Sequence, residues 1–249
     1  MPQLSVVIIT FNEEQNMVRC LDSIKEIADD IVIVDSFSTD KTPEICKKHN
    51  VNFIQRSWEG YSATKNFANT QAKYDWILSL DADEALSEEL KKSILEQKQK
   101  NYSTTCKFNR LQSYCGQWIH HGGWYPDTKI RLFDRTIAQW TGMIHEELTF
   151  SKPVDIIQLK GDCLHYSYYT IEQHHKQSDK FTTMAANDLF AKGKKSTFLK
   201  LYVSPAIRFV RDYIIKLGCM DGKAGYIIAR ISAHATYIKY KKLDELNKK

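Results

Sequence analysis

Two aspartates one residue apart, Asp81 and Asp83, close the apolar run Trp76-Ile77-Leu78-Ser79-Leu80. On an extended strand, side chains two residues apart face the same side. The spacing therefore aims both carboxylates at one point beyond the strand's end. Hard oxygen donors of this kind suit Mg2+ or Mn2+, which bind through one or two carboxylates and complete their shell with substrate phosphates. Two close carboxylates without a partner would repel each other or drive a pKa upward, so a cation is their expected companion. The plainer reading is an acidic turn opening the next helix, where negative charge is favourable.

The elements that must position these groups are legible upstream. Leu4–Thr10 is β-branched and nearly continuous in apolarity, as a buried strand should be. Met17, Leu21, Ile24 and Ile27 then recur with a helical period. Ile31-Val32-Ile33-Val34 is a second strand that stops at Asp35, followed by turn residues 36–40 and a helix opening at Thr42-Pro43-Glu44. Val51-Asn52-Phe53-Ile54 is a third strand, and a helix over 62–73 leads into the strand that ends at Asp81. This alternation predicts an α/β fold, a Rossmann-like, doubly wound and mostly parallel sheet. Ligands of such sheets bind at the carboxyl ends of the strands. Here those ends carry Thr10-Phe11-Asn12-Glu13, Asp35-Ser36 and Asp81-Ala82-Asp83. Neither a Gly-x-Gly-x-x-Gly nor a P-loop motif occurs, which disfavours a dinucleotide fold and a P-loop NTPase. Carboxylates without a glycine cradle suggest phosphates held through a metal.

In order and spacing, Ser5–Asn12 (Ser-Val-Val-Ile-Ile-Thr-Phe-Asn), Val34–Thr42 and Ser79–Glu84 resemble the family 2 glycosyltransferases of GT-A fold. Gly60-Tyr61 through Lys65-Asn66, Trp124–Asp127, Ile130–Arg135 and Ile144–Leu148 resemble most the lipopolysaccharide core β-glucosyltransferases, which add a sugar to inner-core heptose. The resemblance implies a UDP-sugar donor and a Mg2+ or Mn2+ cofactor. It assigns the uridine to Thr10, Phe11 and Glu13, with an aromatic ring available to stack on the base. Asp35 would contact uracil or ribose, although many members carry two acids where this chain has Asp35-Ser36. Lys65 falls near the diphosphate, the alternative being an ordinary exposed helix lysine, and Asp81 and Asp83 match the metal and nucleotide carboxylates, both being candidate metal ligands.

Members of this kind invert the anomeric centre in one displacement, which needs a base for the acceptor hydroxyl and an electrophile for the leaving diphosphate. The resemblance locates the base in His145-Glu146-Glu147; Glu146 is the expected residue, with Glu147 in reserve and His145 orienting the acid. Glu146 as a mere helix cap is the competing reading. His165 either joins the metal shell or is a satisfied core histidine. Trp124 and Tyr125, with Trp118 and the loop 120–123, are read as acceptor-binding residues, although aromatics in such number equally suit packing. His120 and His121 lack the spacing of a zinc pair on a helix, and Arg131 either contacts phosphate or lines a strand edge.

The expectation is an inverting, metal-dependent enzyme moving a hexose, glucose by preference, to a lipopolysaccharide inner-core or similar lipid-linked glycan. A polyprenyl-phosphate glycosyltransferase is the alternative within enzymes, and a nucleic-acid-binding module is the alternative outside them. Residues 192–249 hold 14 Lys+Arg against 4 Asp+Glu, leaving 21 against 26 in the rest. An acidic body repels nucleic-acid phosphate, so no nucleic-acid partner is expected. The division expected is a catalytic domain over 1–190 and a basic amphipathic extension over 191–249, facing a membrane surface or a second copy in a homodimer. Six cysteines without paired spacing suit free thiols in a reducing compartment. Met1-Pro2-Gln3 leads straight into a strand, leaving no room for a signal peptide, and no apolar run has the length of a membrane span. The expected location is cytoplasmic, peripheral on the inner face of the plasma membrane.

Overall fold

The computed structural model describes residues 2–100, 102–142 and 146–248. The chain forms two compact units, Met1–Arg110 with Asp127–His165 and Leu111–Pro126 with Tyr166–Lys249. His145 lies outside the described residues.

The first unit opens with alternating elements: β1 (Leu4–Thr10), α1 (Met17–Ile24), β2 (Asp30–Asp35), α2 (Thr42–Lys47), β3 (Asn52–Gln55), α3 (Tyr61–Thr70) and β4 (Trp76–Asp81). After these come β5 (Glu84–Leu86), α4 (Glu88–Gln99), β6 (Thr105–Tyr114), β7 (Gln117–Ile119), β8 (Asp127–Asp134), β9 (Ala138–Thr141), β10 (Glu147–Phe150) and β11 (Ile156–Tyr168). The main sheet runs β3-β2-β1-β4-β8-β6-β11-β5. Its first four strands are parallel, and β8 then pairs antiparallel with both β4 and β6. This is the α/β architecture expected, with the parallel half confined to the N-terminal strands. All seven residues of β1 are buried, because helices cover both faces of the sheet. Val6, Ile8, Leu78 and Leu80 pack with α1 and α4 on one face; Val7, Ile9, Val32 and Ile77 pack with Ala68, Phe133 and Trp140 on the other. Alternate residues of one strand thus serve opposite cores, as the strand period requires.

Register fixes the strand tips. Thr10 stands opposite Asp35, and Ile9 opposite Asp81, so the ends of β2, β1 and β4 lie side by side at one sheet edge.

The second unit contains α5 (Ile171–Ala191), α6 (Ser204–Val210), flanked by π-helical turns Leu199–Val203 and Arg211–Ile215, and α7 (Gly222–Asn247). Thr170 and Gln173 form a capping box at the start of α5. The helix continues to Ala191 and packs along α7, where Lys242 donates to Asp179, Thr182 and Thr183. The boundary therefore differs from the expected 190/191 division: α5 belongs with the C-terminal helices because its apolar positions find their partner there. Buried Asp221 accepts from the backbone N–H groups of His120 and His121 and lies 2.9 Å from His121 Nδ1. All six cysteines are free thiols.

Candidate active site

Asp81 ends β4 and Glu84 begins β5, with a two-residue turn between them. Strand geometry therefore stops at Asp81, and the two motif aspartates do not share a face as a continuous strand would make them. Asp81 turns toward α3. Its Oδ1 lies 3.1 Å from Lys65 Nζ, and its Oδ2 accepts from Arg131 at 2.8 Å. Burial alone would raise the Asp81 carboxyl, but Lys65 and Arg131 overcome it and hold the group well below the usual carboxylate range. The cation that the sequence demanded beside Asp81 is supplied by the chain itself.

Lys65 is not an exposed helix lysine: its side chain is 1% exposed. Its ammonium lies 3.1 Å from Asp81 and donates to Glu146 at 3.2 Å, over the ring of Trp140. Two other residues of α3 grip the same segment. Ser62 donates to the carbonyl of Gly142, and Asn66 exchanges two hydrogen bonds with the backbone of Trp140. Glu146 is thereby brought into the cluster with Asp81 and Lys65. Glu147 instead enters β10, exposed, opposite Thr141.

Sequence reasoning missed Glu84. Its carboxylate is fully buried, accepts from the backbone N–H of Asp81 at 2.9 Å, and binds Arg131 at 3.1 Å and Arg110 at 3.3 Å. Arg110 also pairs with Asp127. Buried charges persist only when paired in this way. Between Glu84 and Asp81, Arg131 is held above its ordinary value even though burial acts to lower it. It is the residue that locks β8 to the end of β4, neither a solvent-facing phosphate contact nor an idle strand-edge arginine. The sequence signal available was an acid immediately after the Asp-x-Asp pair and a single arginine within each of β6 and β8.

Asp83 pairs with His165, whose Nε2 lies 3.0 Å from Asp83 Oδ2. Burial opposes the charged ring, yet the bond to Asp83 holds His165 above its ordinary value. Glu13 is near enough to feel both: burial pushes its carboxyl up to about 7 against the Asn16 hydrogen bond, and the charges of Asp83 and Asp40 add to the rise. Asp83 and His165 thus supply a carboxylate oxygen and an imidazole nitrogen at one point. That donor pair fits a divalent ion whose shell is completed by diphosphate oxygens and water. The described residues contain no group of three or more His, Cys, Asp or Glu placed to hold a metal unaided.

The loops after β1 and β2 are zipped together. Asp35 is fully buried, and its carboxylate accepts from Ser38 N, Ser38 Oγ and Gln55 Nε2. Asn12 donates its N–H to Ser38 Oγ and accepts from Thr39 N, while Glu13 N donates to Thr42 Oγ1. Asp35 therefore acts within the turn rather than presenting a free carboxylate at the edge. Thr10 is buried, and its hydroxyl has no hydrogen-bond partner among the described residues. Phe11 is 56% exposed, its ring free for stacking. Trp124 and Tyr125 belong to the second unit. There Trp124 packs against Tyr114, Tyr168 and His174, and Tyr125 against His120.

Comparison with known proteins adds the following. The profile described as Glycosyl transferase family 2 matches residues 5–152. An uncharacterized glycosyltransferase of Rickettsia typhi is 32% identical over 261 residues, spanning 100% of this chain and 89% of its own. The lipopolysaccharide core biosynthesis glycosyltransferase LpsC of Rhizobium meliloti is 27% identical, covering 96% of this chain and 91% of its own. The crystal structure of S. aureus TarS superposes with a TM-score of 0.49 at 15% identity, covering 98% of this chain and 55% of that one.

Proposed function

Because the chain belongs to glycosyl transferase family 2, we propose that it transfers a hexose, with inversion, from a UDP-sugar to a lipid-linked glycan of the lipopolysaccharide-core class. The observation that carries this reading is the Lys65 ammonium set against both Asp81 and Glu146. It draws the carboxylate of the strand tip and the expected base into one cluster at the sheet edge where α/β folds bind ligands.

In this reading Glu146 takes the proton of the acceptor hydroxyl. The acceptor oxygen bonds to the anomeric carbon as the bond from that carbon to the diphosphate breaks, and the electron pair leaves with UDP. Asp83 and His165 would hold Mg2+ or Mn2+, which when bound contributes Lewis acidity at the diphosphate. Lys65 and Arg131 keep Asp81 ionised and fixed at the tip of β4, on the nucleotide side of the site. Phe11 stacks on the base, and Thr10 and Glu13 line the uridine. Trp124 and Tyr125 are assigned to the acceptor. The lipopolysaccharide-core assignment draws on the similarity to LpsC.

A lipid-linked acceptor calls for a surface-bound enzyme. No described helix is long and apolar enough to cross a membrane. Phe198, Leu199, Val203, Ile207, Ile214 and Ile215 are nevertheless exposed along the α6 region, among basic residues. Arg208 and Arg211 are tied to buried Asp212, which leaves Lys194, Lys195 and Lys216 for anionic headgroups. We assign this face to the membrane surface.

The test is UDP release from UDP-glucose, UDP-galactose and UDP-N-acetylglucosamine with Mg2+ or Mn2+. One donor should turn over, and chelator or Asp83→Ala should abolish release. Turnover indifferent to both would refute the metal-bound donor.

A further inference from the structure

Two aromatic side chains at the same sheet edge have no role in the mechanism above. Trp58 and Tyr61, in the loop between β3 and α3, are 49% and 47% exposed. They are not scattered surface residues. Their rings meet edge to face, with centroids 4.8 Å apart and planes at 89°. The turn that joins them depends on Gly60, whose φ of 98° and ψ of 162° only glycine adopts readily. A strained turn that holds two apolar rings half in water is unrewarded unless something covers them.

Their position says what that is. Tyr61 opens α3 and lies one helical turn before Lys65, so the two side chains share a face. Lys65 contacts Asp81 and Glu146. The Tyr61 phenol is raised first by burial and then by the charges of Asp81, Glu146 and Asp83, in keeping with its place on the Lys65 face of α3. A transferred sugar must lie between the groups that hold its diphosphate and the base that deprotonates the acceptor. Tyr61 borders that gap from one side.

We propose that Trp58 and Tyr61 form an aromatic wall in which one ring presents its face to the pyranose ring of the donor sugar and the other, set perpendicular to it, braces it edge on. A pyranose presents a face of C–H bonds, apolar and slightly positive, and an aromatic face is its electrostatic complement. The hydroxyls at the ring's rim stay free for polar partners. Ser62, next to Tyr61, donates to the carbonyl of Gly142, so the wall is fixed relative to the end of β9. The inference rests on the UDP-sugar reading of this site, and its test separates the two.

Calorimetry with Mg2+ present would measure binding of UDP, UDP-glucose, UDP-galactose and UDP-N-acetylglucosamine to the full chain and to Trp58→Ala, Tyr61→Ala and Tyr61→Phe. The alanine variants should weaken the bound UDP-sugar roughly three- to tenfold, the worth of one aromatic contact, and leave UDP unchanged. Tyr61→Phe, which keeps the ring, should bind as the wild type does. Equal losses for UDP and UDP-sugar, or no loss for either, would overturn the sugar wall while leaving the donor reading intact. If the wild type binds none of the four, the donor reading falls and takes the wall with it. Melting temperatures of the variants, expected near the wild-type value for half-exposed residues, distinguish lost contact from lost fold.

Discussion

Glu84→Gln removes one negative charge and almost nothing else. Glutamine keeps the length of the side chain and an oxygen that can still accept from the N–H of Asp81. What it cannot do is sit as an anion between Arg131, at 3.1 Å, and Arg110, at 3.3 Å. Both guanidiniums retain one carboxylate: Arg131 keeps Asp81 at 2.8 Å, and Arg110 keeps Asp127 at 2.7 Å. Stripping one member from a buried ion network costs about 3–5 kcal/mol when the remaining charge is left bare. Since each arginine is left with a partner, the lower end, about 3 kcal/mol, is expected. For a chain of this size that lowers the melting temperature by about 6–12 °C. Thermal denaturation followed by circular dichroism would read it, with Glu88→Gln, whose carboxylate is 78% exposed against Lys91, as a control that should melt like the wild type. If Glu84→Gln melted no lower than that control, the charge of Glu84 would not be what joins β8 and β6 to the strand tip.

Two further outcomes follow from other parts of the molecule. Burial pushes the His174 imidazole down to about 4 where it packs on Tyr168 and meets the Tyr114 hydroxyl. Below its ordinary 6.5 the unfolded chain takes up a proton that the folded chain refuses, so this contribution is intact above pH 6.5 and is lost as pH falls toward 4. The loss reaches about 3 kcal/mol at most; urea midpoints at pH 7 and 4.5 should differ less in His174→Gln than in the wild type. On the exposed apolar face, Ile207→Glu with Ile215→Glu should cut co-sedimentation with phosphatidylglycerol vesicles by more than about tenfold. Undiminished binding, or binding equal on neutral phosphatidylcholine, would refute membrane docking through α6.

Local pattern made the parallel half of the fold legible. Runs such as Val6-Val7-Ile8-Ile9 and Ile31-Val32-Ile33-Val34 are too short and too β-branched for helices, and the helices between them carry a clean 3.6-residue period. The strand tips followed from topology alone. What escaped was every contact made by residues distant in sequence. Lys65 sits among Thr64, Asn66 and Ala63, a polar helical context that resembles surface, and only Asp81 and Glu146 make its burial intelligible. The Asp35 carboxylate, expected to contact uracil or ribose, also accepts locally from Ser38 in the turn. Asp81 and Asp83 take different protein partners for a physical reason: period-two logic holds only while the strand lasts, and β4 ends at Asp81. The compact units also divide the chain elsewhere than near 190, since the amphipathic stripe of α5 shows that it needs a partner and does not say which.

The charges of the site divide unevenly, and the division bears on where a cation would bind. Around Asp81 the carboxylates of Asp81, Glu84, Glu146 and Asp127 are matched by Lys65, Arg110, Arg131 and Lys129. That half is close to neutral as built, and a metal ion there would face cations already seated. Around Asp83 the balance is different: burial raises Glu13 to about 7, and the charges of Asp83 and Asp40 add to the rise with His165 opposing it. Uncompensated negative charge attracts a divalent ion, and a diphosphate arriving without one would be repelled by it. The two aspartates of one motif therefore serve different ends. Asp81 is a fixed anion inside a protein ion network, whereas Asp83 is paired with the His165 imidazole; if the proposed metal-bound donor is right, Asp83→Ala should abolish UDP release.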